Sequence, residues 1–407
     1  MTPSPATPTA GVPYFDISDP AFSVRSEEVR RAREEGWYAR TNYGLAVLRY
    51  DEVGRLLKHP KLAQGSARWP AHHGITGGPF AAWWANWVLN KEGDDHHRLR
   101  RLLNPAFSRR MIAPLVPRFQ ALAGELVDGF REPDRCEFVA EFAEPYAARV
   151  IAIMLGLPEE HWREIARDSA TIGLAMGVTI RADLPRIEAA LDRLYGYVDE
   201  AVRDRRREPR DDFVTRLAQA QSEDDRLSPE ELRDSLVLLV FGGFDTTRNQ
   251  LGLGMRTFLD HPGQWRLLAE RPDLGGAAVE EVMRVAPTTT WVTREAREDF
   301  TFEGLDIAAG TTVHLFTESA GTDPRAVPDG SFDITAERPP HFGFGGGAHH
   351  CLGHFVARGD MSVALPLLAR RMRDPRPGGQ ARWLPFSGNT GPVELPVSFT
   401  PDQGVSA

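Results

Sequence analysis

The chain has 407 residues, 42% hydrophobic and 26% charged, which is the balance of a globular protein and excludes a disordered or fibrous one. A net charge of -9 argues against nucleic acid as the main partner, and no apolar run reaches the ~20 residues a membrane-spanning helix needs. Only two cysteines occur, Cys136 and Cys351, far apart in sequence, which argues against a disulfide framework and fits a reducing, cytoplasmic setting.

Residues 1–13, "MTPSPATPTAGVP", lack a cationic start followed by an apolar stretch. They read as a flexible Pro/Thr-rich leader and not as a secretory signal. Strand-like runs are few: "YGLAVLRY" early, then "TFEGLDI", "TTVHLF" and "VELPVSF" late. Between them, apolar residues recur at helical spacing through most of Arg101 to Leu368. Gly- and Pro-rich breaks at 70–79, 204–212, 322–347 and 374–380 read as loops, because none separates two self-sufficient hydrophobic halves. The expectation is one mainly α-helical domain over 1–407 with small peripheral β-sheets.

The clearest helix begins at "SPEE". Ser228 can cap it, Pro229 suits its first position and Glu231 completes a capping box, with helical character running to about Leu259. Its centre, "LVLLVFGGFDTTRNQ", is apolar on nearly all sides and should be buried. Gly242 and Gly243 each weaken a helix by about 1 kcal/mol relative to alanine, and a buried Asp245 needs a partner. Two readings stay open: glycines that let helices pack closely with threonines bonding back to carbonyls, or a helix that opens to admit a ligand and water.

Three further segments carry potential chemistry. "DDHHRLRRLL" places His96 and Arg100 one helical turn apart, and "EEVMR" does nearly the same for Glu281 and Arg284. "HFGFGGGAHHCLGHFVARGD" surrounds Cys351 with glycines and with His341, His349, His350 and His354. Taken alone, that cysteine reads equally as a metal ligand, a nucleophile or a small residue in a tight loop.

Together and in this order, the segments resemble the cytochrome P450 family over nearly the whole chain. Its haem-binding pattern is met at Phe344, Gly345, Gly347, His349, Cys351 and Gly353, its acid–alcohol motif by "GGFDTT", and its Glu-x-x-Arg motif by Glu281 and Arg284. The resemblance implies the P450 fold, a triangular helical prism with small peripheral sheets, and haem b held by one protein ligand, Cys351. It implies that Phe344 shields the thiolate, that Gly345, Gly347 and Gly353 let the backbone approach the porphyrin, and that His96, Arg100, Arg294 and His349 meet the propionates. Asp245 and Thr246 become the proton-delivery pair, with Gly242 and Gly243 making room for oxygen and substrate. His350 has no assigned role, and His354 stands where relatives carry a small residue. Ser331 stands where many relatives carry arginine, leaving Arg325 or Arg338 to complete the Glu281–Arg284 pair. Cys136 reads as a buried thiol.

By family position the substrate wall comprises Trp83, Trp84 and Trp87, then Phe241, Gly242 and Phe244, then Thr289 and Trp291, and finally Phe386. Thr288 to Thr290 and Asn249 are candidate polar anchors, and at least half of the tryptophans should simply pack the core. No flavin or iron–sulfur motif occurs, so electrons are expected from outside, and the resemblance implies a ferredoxin or flavodoxin with its NAD(P)H reductase as their source. Arg98, Arg101, Arg109, Arg110 and Arg358 are candidates for its docking patch, or form a solvated helix face. The expected activity is that of a monomeric haem-thiolate monooxygenase using O2 on a small organic substrate. Oxidative coupling, ring closure, nitration and a non-catalytic haem sensor are the alternatives.

Overall fold

The computed structural model describes residues 11–177, 179–219, 227–384 and 388–402. Most of the predicted leader, residues 1–10, and the wall candidate Phe386 lie outside them.

The central helix spans Pro229–Asp260 and starts as its sequence dictates. Ser228 Oγ accepts from the Glu231 amide, while the Glu231 carboxylate accepts from the Ser228 amide. The helix is buried along most of its length and packs against the helices Glu144–Leu155, Trp162–Gly173 and Ile180–Arg207. Its two central glycines have different causes. A Cβ on Gly243 would stand 2.5 Å from Ile151 Cδ1, so that glycine allows close helix packing. A Cβ on Gly242 would meet nothing within 4 Å, so that glycine opens a groove. The helix itself is unbroken, with Thr246 bonding back to the Gly242 carbonyl, so the close-packing reading describes Gly243 while Gly242 faces open space.

The β structure is peripheral. The largest sheet has six strands, in the order Tyr14–Phe15, Tyr38–Thr41, Gly44–Val47, Thr312–Phe316, Trp291–Ala296 and Leu62–Gln64. Two strand-like runs prove to be divided. "TFEGLDI" lies in a hairpin of Phe300–Phe302 and Leu305–Ile307, because Glu303 and Gly304 both take positive φ, the geometry of a tight two-residue turn. "VELPVSF" breaks at Leu395, and its halves join different sheets, Pro392–Glu394 pairing with Arg382–Trp383 and Pro396–Pro401 with Met372–Pro377. Cys136 is buried in the short strand Arg135–Glu137, where burial pushes its thiol pKa up.

Glu281 and Arg284, on the helix Gly275–Val285, form a buried ion pair with nitrogen–oxygen distances of 2.6 and 2.7 Å. Arg284 also donates to the carbonyls of Gly321 at 2.8 Å and Ser331 at 2.7 Å. Arg338 supplies the missing third member: it stands 3.4 Å from Glu281 Oε1 and donates to the Ser331 carbonyl. Arg325 does not, because Asp323 and Glu34 hold it elsewhere. The network ties a helix to the irregular segment that leads into the cysteine loop, and so fixes that loop against the helical body.

Candidate haem-binding site

The loop 341–353 is shaped by its own backbone. The Gly345 amide donates to the Phe342 carbonyl at 2.8 Å, and the Cys351 amide to the Phe344 carbonyl at 3.0 Å. Gly345 and Gly347 take φ of +67° and +69°, which L side chains rarely adopt. At Gly347 a Cβ would also stand 2.7 Å from the Leu57 carbonyl oxygen. Gly347→Ala is therefore expected to cost about 1–3 kcal/mol, read as a lower denaturation midpoint and weaker haem retention.

Cys351 keeps some accessible surface, yet its thiol lies deep among protein atoms. Burial raises the thiol pKa. The Gly353 amide, which hydrogen-bonds the sulfur, and the charges of Arg100 and Arg358 only partly offset this. A thiol raised in this way is a poor free nucleophile, whereas a metal would hold it as thiolate. Among the described residues no group of three or more His, Cys, Asp or Glu side chains is placed to hold a metal ion.

The histidines are accounted for separately. The His354 Nδ1 lies 2.8 Å from the Arg358 guanidinium, its ring rests on Phe355, and burial and neighbouring cations lower its pKa to about 4. It is a neutral acceptor for Arg358. The His350 ring packs against His354, and burial, with neighbouring cations, lowers its pKa. Arg358 in turn binds Glu280 and covers the Phe344 ring at 4.5 Å.

Across the loop lies a cationic corner. Arg294 is paired in strand register with Gln64 and donates to its side chain and to the carbonyls of Thr293 and Gly346. Burial lowers its pKa to about 10. His96, on the helix Gly93–Leu103, packs against His349 with the rings tilted and their centres 4.2 Å apart, and burial lowers its pKa to about 4. His349 meets Glu92 through Nε2 at 3.1 Å, while its Nδ1 is buried with no partner among the described residues. Arg100 is half-buried, and burial lowers its pKa too. Buried cations and an orphaned ring nitrogen suit the carboxylates of a haem, whose thiolate ligand would be Cys351. Glu92 is an addition that sequence reasoning missed: the amide of Gln64, His349 and Arg297 hold it ionised in this corner against the cost of burial.

On the central helix, Gly242 and Thr246 are one turn apart, with Thr246 Oγ1 donating to the Gly242 carbonyl at 2.6 Å. Thr246 is exposed along the groove while Asp245 beside it is buried. The acid–alcohol pair thus has one member in the open groove and one behind it.

The aromatic wall is largely structural. Trp83, Trp84 and Trp87 are all fully buried and pack with Phe80 and Phe241. The indoles of Trp83 and Trp84 donate to the carbonyls of Asp234 and Ser66. Phe244 is a correction: some 200° around the helix from Gly242, it packs among Ala147, Ala148 and Ala166 with Arg248 across its ring. Trp291 packs against Phe316 and His314 in the sheet. Asn249 and Thr288 are buried and bonded within the protein, so neither is a free anchor; Thr289 alone of the threonines retains partial exposure.

Comparison with known proteins settles the family. The cytochrome P450 family model matches residues 176–373. The chain is 36% identical to the luteothin monooxygenase of Streptomyces thioluteus over 96% of this chain and 97% of that protein. It is 34% identical to the mycinamicin IV hydroxylase/epoxidase of Micromonospora griseorubida, over 91% and 92% of the two chains. The chain belongs to the cytochrome P450 family. Among solved structures the P450 resembles CalO2, with a TM-score of 0.85 and 29% identity over 94% of this chain and 99% of that one. It also resembles P450BioI in complex with a fatty-acid-ligated acyl carrier protein, with a TM-score of 0.82 and 28% identity over 91% and 97%. It is an oxidoreductase of the haem b monooxygenase type, and its family implies O2 and an electron-donating partner.

Proposed function

We propose that this P450 inserts one atom of O2 into a small apolar or aromatic substrate and releases the other as water, with electrons from a ferredoxin or flavodoxin and its NAD(P)H reductase. Haem b, when bound through Cys351, supplies the binding and activation of O2. The chain supplies the rest. His96, Arg100, Arg294 and His349 orient the cofactor by its carboxylates, and the Gly353 amide fixes the sulfur. The open groove at Gly242 admits O2 and substrate, and Asp245 and Thr246 move the required protons inward from water. The observation that carries this reading is the exposed Thr246 hydroxyl beside the buried Asp245 carboxylate, an arrangement that a haem carrier does not need.

The substrate wall reduces to Phe241, Gly242, Thr289 and the edges of the tryptophan cluster. Relatives named for luteothin, mycinamicin IV and nocardicin C oxidation support a role in secondary metabolism. No helix among the described residues is long and apolar enough to cross a membrane; the proposal is of a one-domain monomer working in the cytoplasm. We place electron entry at exposed Arg101, Arg109 and Arg110, of which Arg101 lines a surface hollow together with Ala348 of the cysteine loop. Arg98 and Arg358 contribute less charge there, being paired with Glu231 and Glu280. The test is a spin-state titration of the haem-loaded protein against aromatic compounds, then turnover with a ferredoxin couple. A hit that yields an oxygenated product supports the proposal. Spin-state shifts without any product, across every electron donor tried, would leave a sensor as the better reading.

A further inference from the structure

Asp245 is held more tightly than a freely working proton carrier should be. Its Oδ1 accepts from Arg248 Nη2 at 3.0 Å; its Oδ2 accepts from Asn249 Nδ2 at 3.3 Å and from Asn389 Nδ2 at 2.5 Å. Arg248 and Asn249 share its helix, three and four residues on, so their backbones keep a fixed place relative to Asp245. Asn389 comes from the turn 388–391, 144 residues away, so its place depends on how that turn is held.

That turn is stitched to the wall segment after the Glu281–Arg284 helix. Thr288 Oγ1 donates to Asn389 Oδ1 at 2.7 Å and lies 2.8 Å from the Thr390 carbonyl. The Thr390 amide bonds the Thr288 carbonyl, the Thr290 amide bonds the Gly388 carbonyl, and Thr289 pairs with Asn389 across a β-bridge. Glycines permit the close fit: a Cβ on Gly391 would stand 2.6 Å from Asn249, and one on Gly388 2.9 Å from Trp291. The Asn389 amide is therefore oriented at both ends, its oxygen toward a hydroxyl and its nitrogen toward a carboxylate; the reverse would oppose two oxygens.

We propose that Asn389 is a positioning residue that makes proton delivery depend on substrate. A molecule pressing on Thr289 displaces the turn 388–391 and withdraws the Asn389 amide from Asp245 Oδ2. That oxygen keeps only the longer bond from Asn249 and has a lone pair open to take a proton from water and pass one on through Thr246. Without substrate the amide stays in place and restrains the relay, so reducing equivalents are not wasted. The inference rests on the monooxygenase reading and its Asp245–Thr246 relay.

The test uses the haem-loaded protein with a ferredoxin couple and no added substrate. Asn389→Ala should raise NAD(P)H consumption about tenfold, the weight of one hydrogen bond to a charged group. Thr288→Val should act in the same direction, and the double variant should not exceed Asn389→Ala, because both cut one chain. In an Asp245→Asn background the rise should vanish. Deuterium exchange at the Thr290 and Thr390 amides should keep its wild-type rate in Asn389→Ala, which separates a lost link from a loosened turn. Unchanged consumption, additive single variants, a rise that survives Asp245→Asn, or a rise accompanied by faster exchange would each overturn the proposal. If Asp245→Asn alone leaves substrate turnover at wild-type levels, the relay itself fails, and the inference with it.

Discussion

Asp245→Asn is expected to lower oxygenated product by roughly 10²-fold, the scale of a lost positioned acid–base group. The substitution preserves shape but costs stability at a buried ion pair, so the denaturation midpoint and haem content are measured beside turnover to separate the two losses. What it removes is the one carboxylate beside the exposed Thr246 and the counter-charge of buried Arg248, 3.0 Å away. Thr246→Ala should act on the same path but differently: electrons are still consumed, and a larger share appears as peroxide. Thr246→Ser, which keeps the hydroxyl that bonds the Gly242 carbonyl, should recover most of the coupling. Product formed per NAD(P)H oxidised, measured beside peroxide, checks all three. Full coupled turnover in Thr246→Ala would remove that hydroxyl from the relay.

The second large effect concerns stability. Arg284→Ala should cost about 3–5 kcal/mol, because it leaves the buried Glu281 carboxylate without its bidentate partner. A typical stability is ~5–15 kcal/mol, so much of the protein would be unfolded or unable to retain haem at working temperature. Arg284 also closes the carbonyls of Gly321 and Ser331, and lysine cannot reproduce that fork. Arg284→Lys should therefore be nearly as damaging, whereas Arg338→Ala, removing the more distant 3.4 Å contact, should be milder. Denaturant midpoints and haem content per chain measure the order. A stable, haem-replete Arg284→Ala protein would contradict the role given to the pair.

What could be read from the sequence was whatever is local in the chain. The capping box at Ser228–Glu231, the positive-φ glycines of the cysteine loop and the Glu281–Arg284 spacing each lie within a few residues, and backbone geometry enforces them. The Phe244 assignment failed for a helical reason: two residues from Gly242 in sequence, it faces the opposite side of the helix, among the alanines of two neighbours. The tryptophans were ambiguous because an aromatic-rich segment reads the same whether it lines a cavity or fills a core. Arg98 and Arg358 lost their place as free docking charges to Glu231 and Glu280, partners 133 and 78 residues distant. Arg248 stood in plain view in "DTTRN", three residues from Asp245, yet Asn389 had no local signal at all, since only tertiary folding brings it to Asp245. Glu92 was hidden for the same reason, its carboxylate meeting His349 across 257 residues.

Cys351 is proposed to ligate haem iron, while the nearby His349, His354 and His341 face Glu92, Arg358 and Glu280 and His350 packs on His354. The absorption spectrum of the reduced, carbon monoxide-bound protein tests it most directly. The account predicts the long-wavelength Soret band of thiolate ligation in the wild-type protein, and its loss in Cys351→His. An imidazole-type band in freshly prepared wild-type protein, or a thiolate-type band that persists after Cys351 is replaced, would contradict it.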